Sequence, residues 1–396
     1  MRFAHMADTH LGYRQYNLDE REEDFYSAFH EAIDKIIKER VDFVIHAGDL
    51  FDEPRPPVRA MIEVRNALDR LDEKEIPVFA IGGNHDILMR RGALPPQRLY
   101  KNIEFLTPER PWHIHDDVFI AGLPYHSKIH ASMLKERLNS ISNEAKKYKK
   151  RILVLHQGID RYFPLNYELK FEDIPKGFDY IAMGHVHKRI VDNLLDGKLV
   201  YPGSTEVWRI DELEDLRVNG KGFNIVDIGD FSLEKIDLEN IRPFIKKEII
   251  AENLGIDELK SALDLEKNPV LHLTVLSDMH DYPGIYQNLV RELKDALYLD
   301  IKRRGPIEVE ETFSEKKIGI GELINAIMKD YTSKEIDFAY ALFKRLSVGE
   351  LEGAKEIAEE FFTDWTAKLE MEKEVLKENA IEKPTSAKQS RLEVIR

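Results

Sequence analysis

The stretch RFAHMADTH, residues 2–10, sets a short apolar run directly before an acid and an imidazole. Apolar runs followed by an acid, amide or imidazole return in FVIHAGD (43–49), VFAIGGNH (78–85), ILVLH (152–156) and YIAMGHVH (180–187). Short apolar runs bounded in this way read as buried strands. Further strands are expected at Val118 to Ala121, Leu199 to Tyr201 and Phe223 to Asp227. Between them Glu20 to Arg40, Val58 to Leu71 and Ser132 to Lys150 carry apolar residues at helical spacing and read as helices with one buried side. Alternation of this kind predicts a layered α/β domain over residues 1–240, with polar side chains delivered to the carboxyl ends of its strands, where sites assemble in open sheets.

Beyond Asn240 the pattern changes. Lys247 to Ile250 and Val270 to Leu276 read as strands and Pro283 to Leu297 as a helix, so 241–305 is expected to be a small α/β appendage. Gly305, Pro306 and the charged run after them predict a linker over 306–318. Residues 319–370 read as three short helices, with capping boxes at Thr332 with Glu335 and at Ser347 with Glu350. A bundle of roughly 50 residues is marginal alone, so Phe361, Phe362 and Trp365 are candidates for packing on another protein. Residues 371–396 are charged and polar and are expected to fray.

Composition narrows the chemistry. The 396 residues include no cysteine, which excludes disulfides, thiolate metal sites and thiol nucleophiles; any metal must be held by nitrogen and oxygen. A net charge of −15 excludes DNA binding through a global positive field, so a nucleic-acid site must be local, metal-supported or shared with a partner. No run of about 18 apolar residues occurs, and the N-terminus lacks the apolar core of a signal peptide; a cytoplasmic, nucleoid-associated home without membrane contact is expected.

Twelve of the fourteen histidines lie at or before His187, and five of them sit at the strand ends. With Asp8, Asp49 and Asn84 they form a nitrogen and oxygen donor set, while Gly48, Gly83 and Gly184 permit close or unusual turns beside it. Residues two apart in extended chain point the same way, about 6.5 Å apart, so Asp8 with His10 and His185 with His187 are expected to reach one cavity. That spacing suits two cations about 3.5 to 4 Å apart, with Asp49 as the natural bridge. Two divalent ions against two carboxylates leave about +2, which attracts a phosphodiester despite the acidic whole.

Asp8-x-His10, Gly48-Asp49, Gly83-Asn84-His85-Asp86, His156 and Gly184-His185-x-His187 resemble the calcineurin-like metallophosphoesterase signature. More narrowly, THLGYRQYN (9–17), GDLFDEPRPPV (48–58), GNHD (83–86), LHQG (155–158), MGHVHKR (183–189) and YPGSTE (201–206) resemble the archaeal meiotic-recombination-eleven nucleases of double-strand-break repair. The resemblance implies a four-layer αββα sandwich, a DNA-capping domain at 241–305 and a helical ATPase-binding region at 319–370. It also implies two Mn2+ per subunit: Asp8, His10, Asp49 and His187 on one, and Asp49, Asn84, His156 and His185 on the other. His85 would be the catalytic proton donor to the leaving 3′ oxygen. The implied activity is double-strand exonuclease and single-strand endonuclease cleavage of DNA ends, by a homodimer working with the SMC-like radiation-sensitive-fifty ATPase. The chain departs from the family at Asp52, where some members carry a histidine that orients the phosphate; an ionised carboxylate cannot donate in that way, which bears on the balance of the two activities.

DNA contacts are expected from loops beside the ligands: Tyr13, Arg14, Tyr16 and Asn17 after His10, Arg55 after Asp52, and Arg90 with Arg91 after His85. Lys146 to Arg151 is a weaker candidate, because its first residues end a predicted helix. His5 and His46, inside strands, are expected to be satisfied core residues, and His126 and His130 to be solvated. A small-molecule phosphodiesterase or phosphoprotein phosphatase would share the metal signature but has no evident use for 245–370. A non-catalytic scaffold bridging DNA ends would leave the full donor set without a reason.

Overall fold

The computed structural model describes residues 1–87, 94–194, 196–251, 255–277, 282–305, 333–347, 355, 357, 358 and 361. Met1–Ile307 forms one compact unit and Glu308–Arg396 another. The first unit contains two six-stranded sheets. One holds β1 (Arg2–Met6), β2 (Phe43–His46), β3 (Val78–Ala80), β4 (Ile103–Phe105), β11 (Gly222–Asp227) and β12 (Leu233–Asp237), in the order β12-β11-β1-β2-β3-β4. The other holds β5 (Trp112–His115), β6 (Val118–Leu123), β7 (Lys150–His156), β8 (Tyr180–Gly184), β9 (Arg189–Leu194) and β10 (Gly197–Pro202), in the order β5-β6-β7-β8-β10-β9. The centre of each sheet is parallel, β1-β2-β3-β4 and β6-β7-β8-β10, and antiparallel strands close the edges.

Three apolar layers fix how these sheets stack. Phe3, Phe43, Ile45 and Phe79 from one sheet meet Val118, Ile120, Val154 and Tyr180 from the other, so the inner faces pack on each other. Phe3 stacks on Phe43 with centroids 5.0 Å apart, and Tyr180 meets Phe3 edge-on at 5.3 Å. Truncating a buried ring there costs about 3–5 kcal/mol. The outer face of the first sheet is covered by α1 (Asp19–Glu39) and α2 (Val58–Asp72), and that of the second by α3 (Ala131–Ala145). Helix α1 buries Phe25, Phe29, Ala32, Ile33 and Ile36 at intervals of three and four, and Asp19, Glu20 and Glu22 in its first turn complement the helix dipole. The layers run helix, sheet, sheet, helix.

After β12 come the short helix-flanked strands of a third sheet. It is all parallel, β13 (Phe244–Ile250), β14 (Val270–Leu276) and β15 (Tyr298–Arg304), connected through α5 (Ile256–Leu263) and α6 (Tyr282–Glu292); α4 (Leu213–Asn219) precedes β11. Its own core includes Leu263, Leu271, Val275, Leu289 and Leu293. It is tied to the larger sheets by a smaller cluster of Val207, Leu213, Phe244 and Val270, and by Arg242, which donates to Asp24 at 2.6 and 2.8 Å.

Several elements differ from the sequence expectations. Strands β4, β5, β9 and β12 were not expected; they are short or border a sheet and alternate polar with apolar residues. Lys146 to Lys150 is not helical: α3 stops at Ala145, and Lys150 opens β7. The basic stretch Ile301 to Arg304, which closes the appendage, lies in strand β15.

Within the second unit, Ser333–Ser347 forms α7, and Phe338 stacks on Phe361 with centroids 4.0 Å apart. Thr332, Glu350, Phe362, Trp365, 306–318 and 371–396 lie outside the described residues. Among the described residues no helix is long and apolar enough to cross a membrane.

Candidate metal centre

Strand ends from both large sheets meet at one place. Asp8 and His10 follow β1, Asp49 follows β2, Asn84 and His85 follow β3, His156 ends β7, and His185 with His187 follows β8. Asp8, His10 and His187 bring their donor atoms together as one group, and Asp49, His156 and His185 as a second. The Oδ2 of Asp49 lies 3.8 Å from His10 Nε2 and 3.2 Å from His156 Nε2, between the two groups. Asn84 Oδ1 joins the second group, 3.1 Å from His156 Nε2 and 2.9 Å from His185 Nδ1. The structure therefore brings all seven expected ligands together.

Extended alternation is not what does it. Asp8, His10, Asp49 and His185 have φ of 53°, 45°, 53° and 86°, so the chain leaves the strand and turns left-handed at four donors. Such positions are costly for side chains other than Gly, Asn and Asp, and they concentrate where a site over-determines the backbone. One result is that His185 and His187, two apart, serve different groups. Glycine makes room for this. Gly48 has φ +94°, and a Cβ there would meet His156 Nδ1 at 2.4 Å; a Cβ on Gly83 would meet Asp49 Oδ1 at 2.0 Å. Asp86 clamps the same loops, accepting from the backbone N–H of Gly83, Leu50 and Phe51 at 2.9, 3.2 and 3.0 Å.

The first group fits a cation. His10 Nδ1 lies 3.2 Å from Asp52 Oδ1, and His187 Nδ1 lies 2.8 Å from Glu212 Oε1. A carboxylate only accepts, so each Nδ1 carries the hydrogen, and each Nε2 of the neutral rings presents a lone pair. Those two Nε2 atoms face each other at 3.1 Å. Two lone pairs so placed repel, and a cation coordinated by both relieves the repulsion. In the second group His156 donates from Nδ1 to the carbonyl of Ala47 at 2.7 Å, which turns its Nε2 inward.

Electrostatics agree. Burial pushes the Asp8 carboxyl up to about 7, against the pull of His156. Burial opposes charge on Asp49 as well, yet His156, His10 and His85 hold it well below the usual carboxylate range. Burial would depress His156, but Asp49 and Asp8 raise it to about 9. Burial takes His185 down to about 3, and the charge of His156 adds to the effect.

His85 sits at the rim with its side chain 28% exposed, its ring 4.8 Å from that of His10. Its Nδ1 donates to the Asp52 carbonyl at 2.7 Å, leaving Nε2 for a substrate. The expected DNA contacts are placed variously. Arg14 is bound to Asp19 and Asn17, at 2.7 and 2.9 Å, and Arg55 is exposed. Tyr13 packs against Phe25 and Trp208, while the ring of Tyr16 lies on Tyr298. Arg90 and Arg91 lie outside the described residues. In the basic run, Lys147 pairs with Glu144, Lys150 donates to Gly229 O and Arg151 pairs with Asp179. His5 and His46 are buried, held by Tyr180 and Thr9 and lowered to about 3 by burial. His126 is not solvated: it is half-buried, donates to Pro124 O at 2.7 Å, and is lowered chiefly by burial.

Sequence reasoning missed Trp208 and Glu212, which close the first group, and Glu168, which approaches His185 Nε2 at 3.7 Å. Each reaches its partner across the fold, and only YPGSTE, just before Trp208, marks the neighbourhood.

Residues 1–189 match the family model for calcineurin-like phosphoesterases. A DNA double-strand break repair protein Mre11 from Methanococcus maripaludis is 40% identical over 368 residues, covering 87% of this chain and 95% of that protein. The Mre11 protein of Methanocaldococcus jannaschii is 36% identical over 377 residues, 91% of this chain and 98% of its own. For that of Sulfolobus acidocaldarius the figures are 33% over 347 residues, 84% and 90%. Likeness sustained over nearly the full length of each relative means that the chain belongs to the Mre11 family of DNA double-strand break repair proteins, within the calcineurin-like phosphoesterases.

Proposed function

We propose that the chain is a manganese-dependent nuclease that processes DNA ends, acting as a duplex exonuclease and a single-strand endonuclease. The observation that carries this reading is the convergence of His10 Nε2 and His187 Nε2 at 3.1 Å beside Asp49 and the open imidazole of His85. Asp8, His10, Asp49 and His187 would hold one Mn2+, and Asp49, Asn84, His156 and His185 a second. When bound, the ions supply the acidity that makes water a nucleophile and the positive charge that a phosphoryl group in transfer requires. Asp49 keeps the two donor groups in register through its position between His10 and His156. The His85 ring is held by the Asp52 carbonyl, so its Nε2 can carry a proton to the leaving 3′ oxygen.

Residues 1–240 would be the nuclease domain and 241–305 the domain that caps DNA over the metal centre. The linker 306–318 would lead to a helical region, 319–370, that docks on an SMC-like coiled-coil ATPase, with 371–396 a charged tail. The protein would work as a homodimer on DNA in the nucleoid. Incubation with labelled duplex and single-stranded DNA, with Mn2+ or Mg2+ and with or without the ATPase, tests this. Manganese-dependent cutting of both substrates supports the reading, and no cutting with either metal overturns it.

A further inference from the structure

Trp208 stands behind the first donor group and touches most of what holds it. Its indole Nε1 donates to Asp52 Oδ1 at 3.0 Å, the same oxygen that faces His10 Nδ1 at 3.2 Å. Its backbone N–H donates to Glu212 Oε2 at 3.3 Å, while the other oxygen of that carboxylate faces His187 Nδ1. The indole ring also covers the histidines. It is stacked on His10, with centroids 5.2 Å apart and planes 25° apart, and meets His187 and His85 edge-on at 5.2 and 5.5 Å.

The residue is itself fixed from behind. Gln15 donates to the Trp208 carbonyl at 2.8 Å and accepts from the fully buried Arg21 at 2.8 Å; Arg21 in turn binds Glu206 and the carbonyl of Val207. Glu212 is held by Lys221 Nζ at 2.5 Å and by the backbone N–H of Arg209 at 3.1 Å. A carboxylate behind a ligating imidazole sets its tautomer and direction only if the carboxylate cannot swing away. Among the described residues, the Asp52 side chain accepts one hydrogen bond besides that of the His10 imidazole, from the indole N–H, while His85 Nδ1 stands 3.9 Å from the same oxygen.

We propose that Trp208 is a positioning residue for the first cation. It locks Asp52 behind His10 and, through its backbone, Glu212 behind His187, so that both Nε2 atoms stay aimed at one point. Asp52, where the resemblance led one to look for a phosphate-orienting donor, here serves as the anion behind a ligand. This rests on the reading that divalent cations occupy the centre, and the test separates the two: wild-type protein that binds no Mn2+ defeats that reading, whereas unaltered binding by the variant defeats this inference alone.

The experiment is calorimetric titration of the full chain with Mn2+ for wild type, Trp208→Phe, Asp52→Ala and the double variant, each checked for a wild-type-like thermal transition. Trp208→Phe keeps an aromatic ring and loses the N–H. The expected result is a roughly tenfold weaker constant for one ion and an unchanged constant for the other. If Trp208 acts through Asp52, the double variant binds no more weakly than Asp52→Ala alone. Wild-type affinity in Trp208→Phe, equal weakening of both ions, or additive loss in the double variant overturns the proposal. Should Trp208→Phe not fold, wild-type chain carrying 5-fluorotryptophan replaces it. The fluorine resonance of Trp208 is expected to move as Zn2+ fills the first position and, of the three tryptophans, to move most; an unmoved resonance contradicts the assignment.

Discussion

Tyr16 lies flat on Tyr298, ring centroids 3.9 Å apart and planes 12° apart, and its hydroxyl meets His272 Nε2 at 2.9 Å. The loop that follows the metal ligand His10 is thereby fastened to the third sheet, and Asp300 completes the join at 3.1 Å from His272 Nδ1. Tyr16 takes a left-handed φ of 58° to do this. An aromatic pair of this kind contributes about 0.5–1.5 kcal/mol beyond the area it buries. Tyr16→Ala should therefore speed hydrogen exchange in β14 and β15 several-fold while leaving Mn2+ affinity as it was. Unchanged exchange in those strands would mean that the join is not holding the sheet.

His85 and Asp8 should fail differently. His85 is anchored through Nδ1 to the Asp52 carbonyl and lies at the rim, outside the two groups that Asp49 bridges, so His85→Ala is expected to keep its metal and lose about 10²- to 10⁴-fold in cleavage, the range of a general acid. Asp8→Ala should lose one bound ion. Metal content by elemental analysis beside a cleavage assay distinguishes them, and normal turnover by His85→Ala would remove that residue from the chemistry.

Arg21 and Glu206 form a pair with neither side chain exposed. Removing one partner from such a pair costs about 3–5 kcal/mol, because the other is left charged and unpaired out of water. Arg21→Met should lower the urea midpoint accordingly, and the added change Glu206→Leu should recover part of the loss. A single variant as stable as wild type would show that the pair is not holding the loop that carries Trp208.

Acid should destabilise the fold in part through His5 and His46, which burial lowers to about 3. An unfolded histidine titrates near 6.5, so between these values the unfolded chain holds more protons and stability rises with pH. That stability is lost as pH falls below about 6.5, with a slope of about 1.4 kcal/mol per pH unit for each group. His5→Gln, measured by urea unfolding in steps from pH 7 to pH 4, should be less steep than wild type by that amount. Parallel curves would contradict the buried, neutral His5.

The parts legible in the sequence are those where one physical signal dominates. Apolar runs such as ILVL and YIAM lie in the parallel centres of the sheets, buried on both faces, and polar residues could follow them only at an edge, which is why His156 and His185 stood out. Strand β15 is not legible as a strand because Lys302, Arg303 and Arg304 obscure its alternation. The end of α3 was missed because Lys146 to Lys149 contains no glycine or proline to mark it. For Trp208 the sequence offers nothing beyond the neighbouring YPGSTE: its partner Asp52 is 156 residues away, and only the folded chain brings them within a hydrogen bond.

On the proposed function, Asp8, His10, Asp49, Asn84, His156, His185 and His187 build a paired-cation pocket. Anomalous diffraction at the manganese edge from crystals grown with Mn2+ tests it most directly. Two peaks about 3.5–4 Å apart are expected, one between His10 and His187 and one between His156 and His185, with Asp49 between them. A map with no peak among these side chains, or with manganese bound elsewhere, would contradict the account.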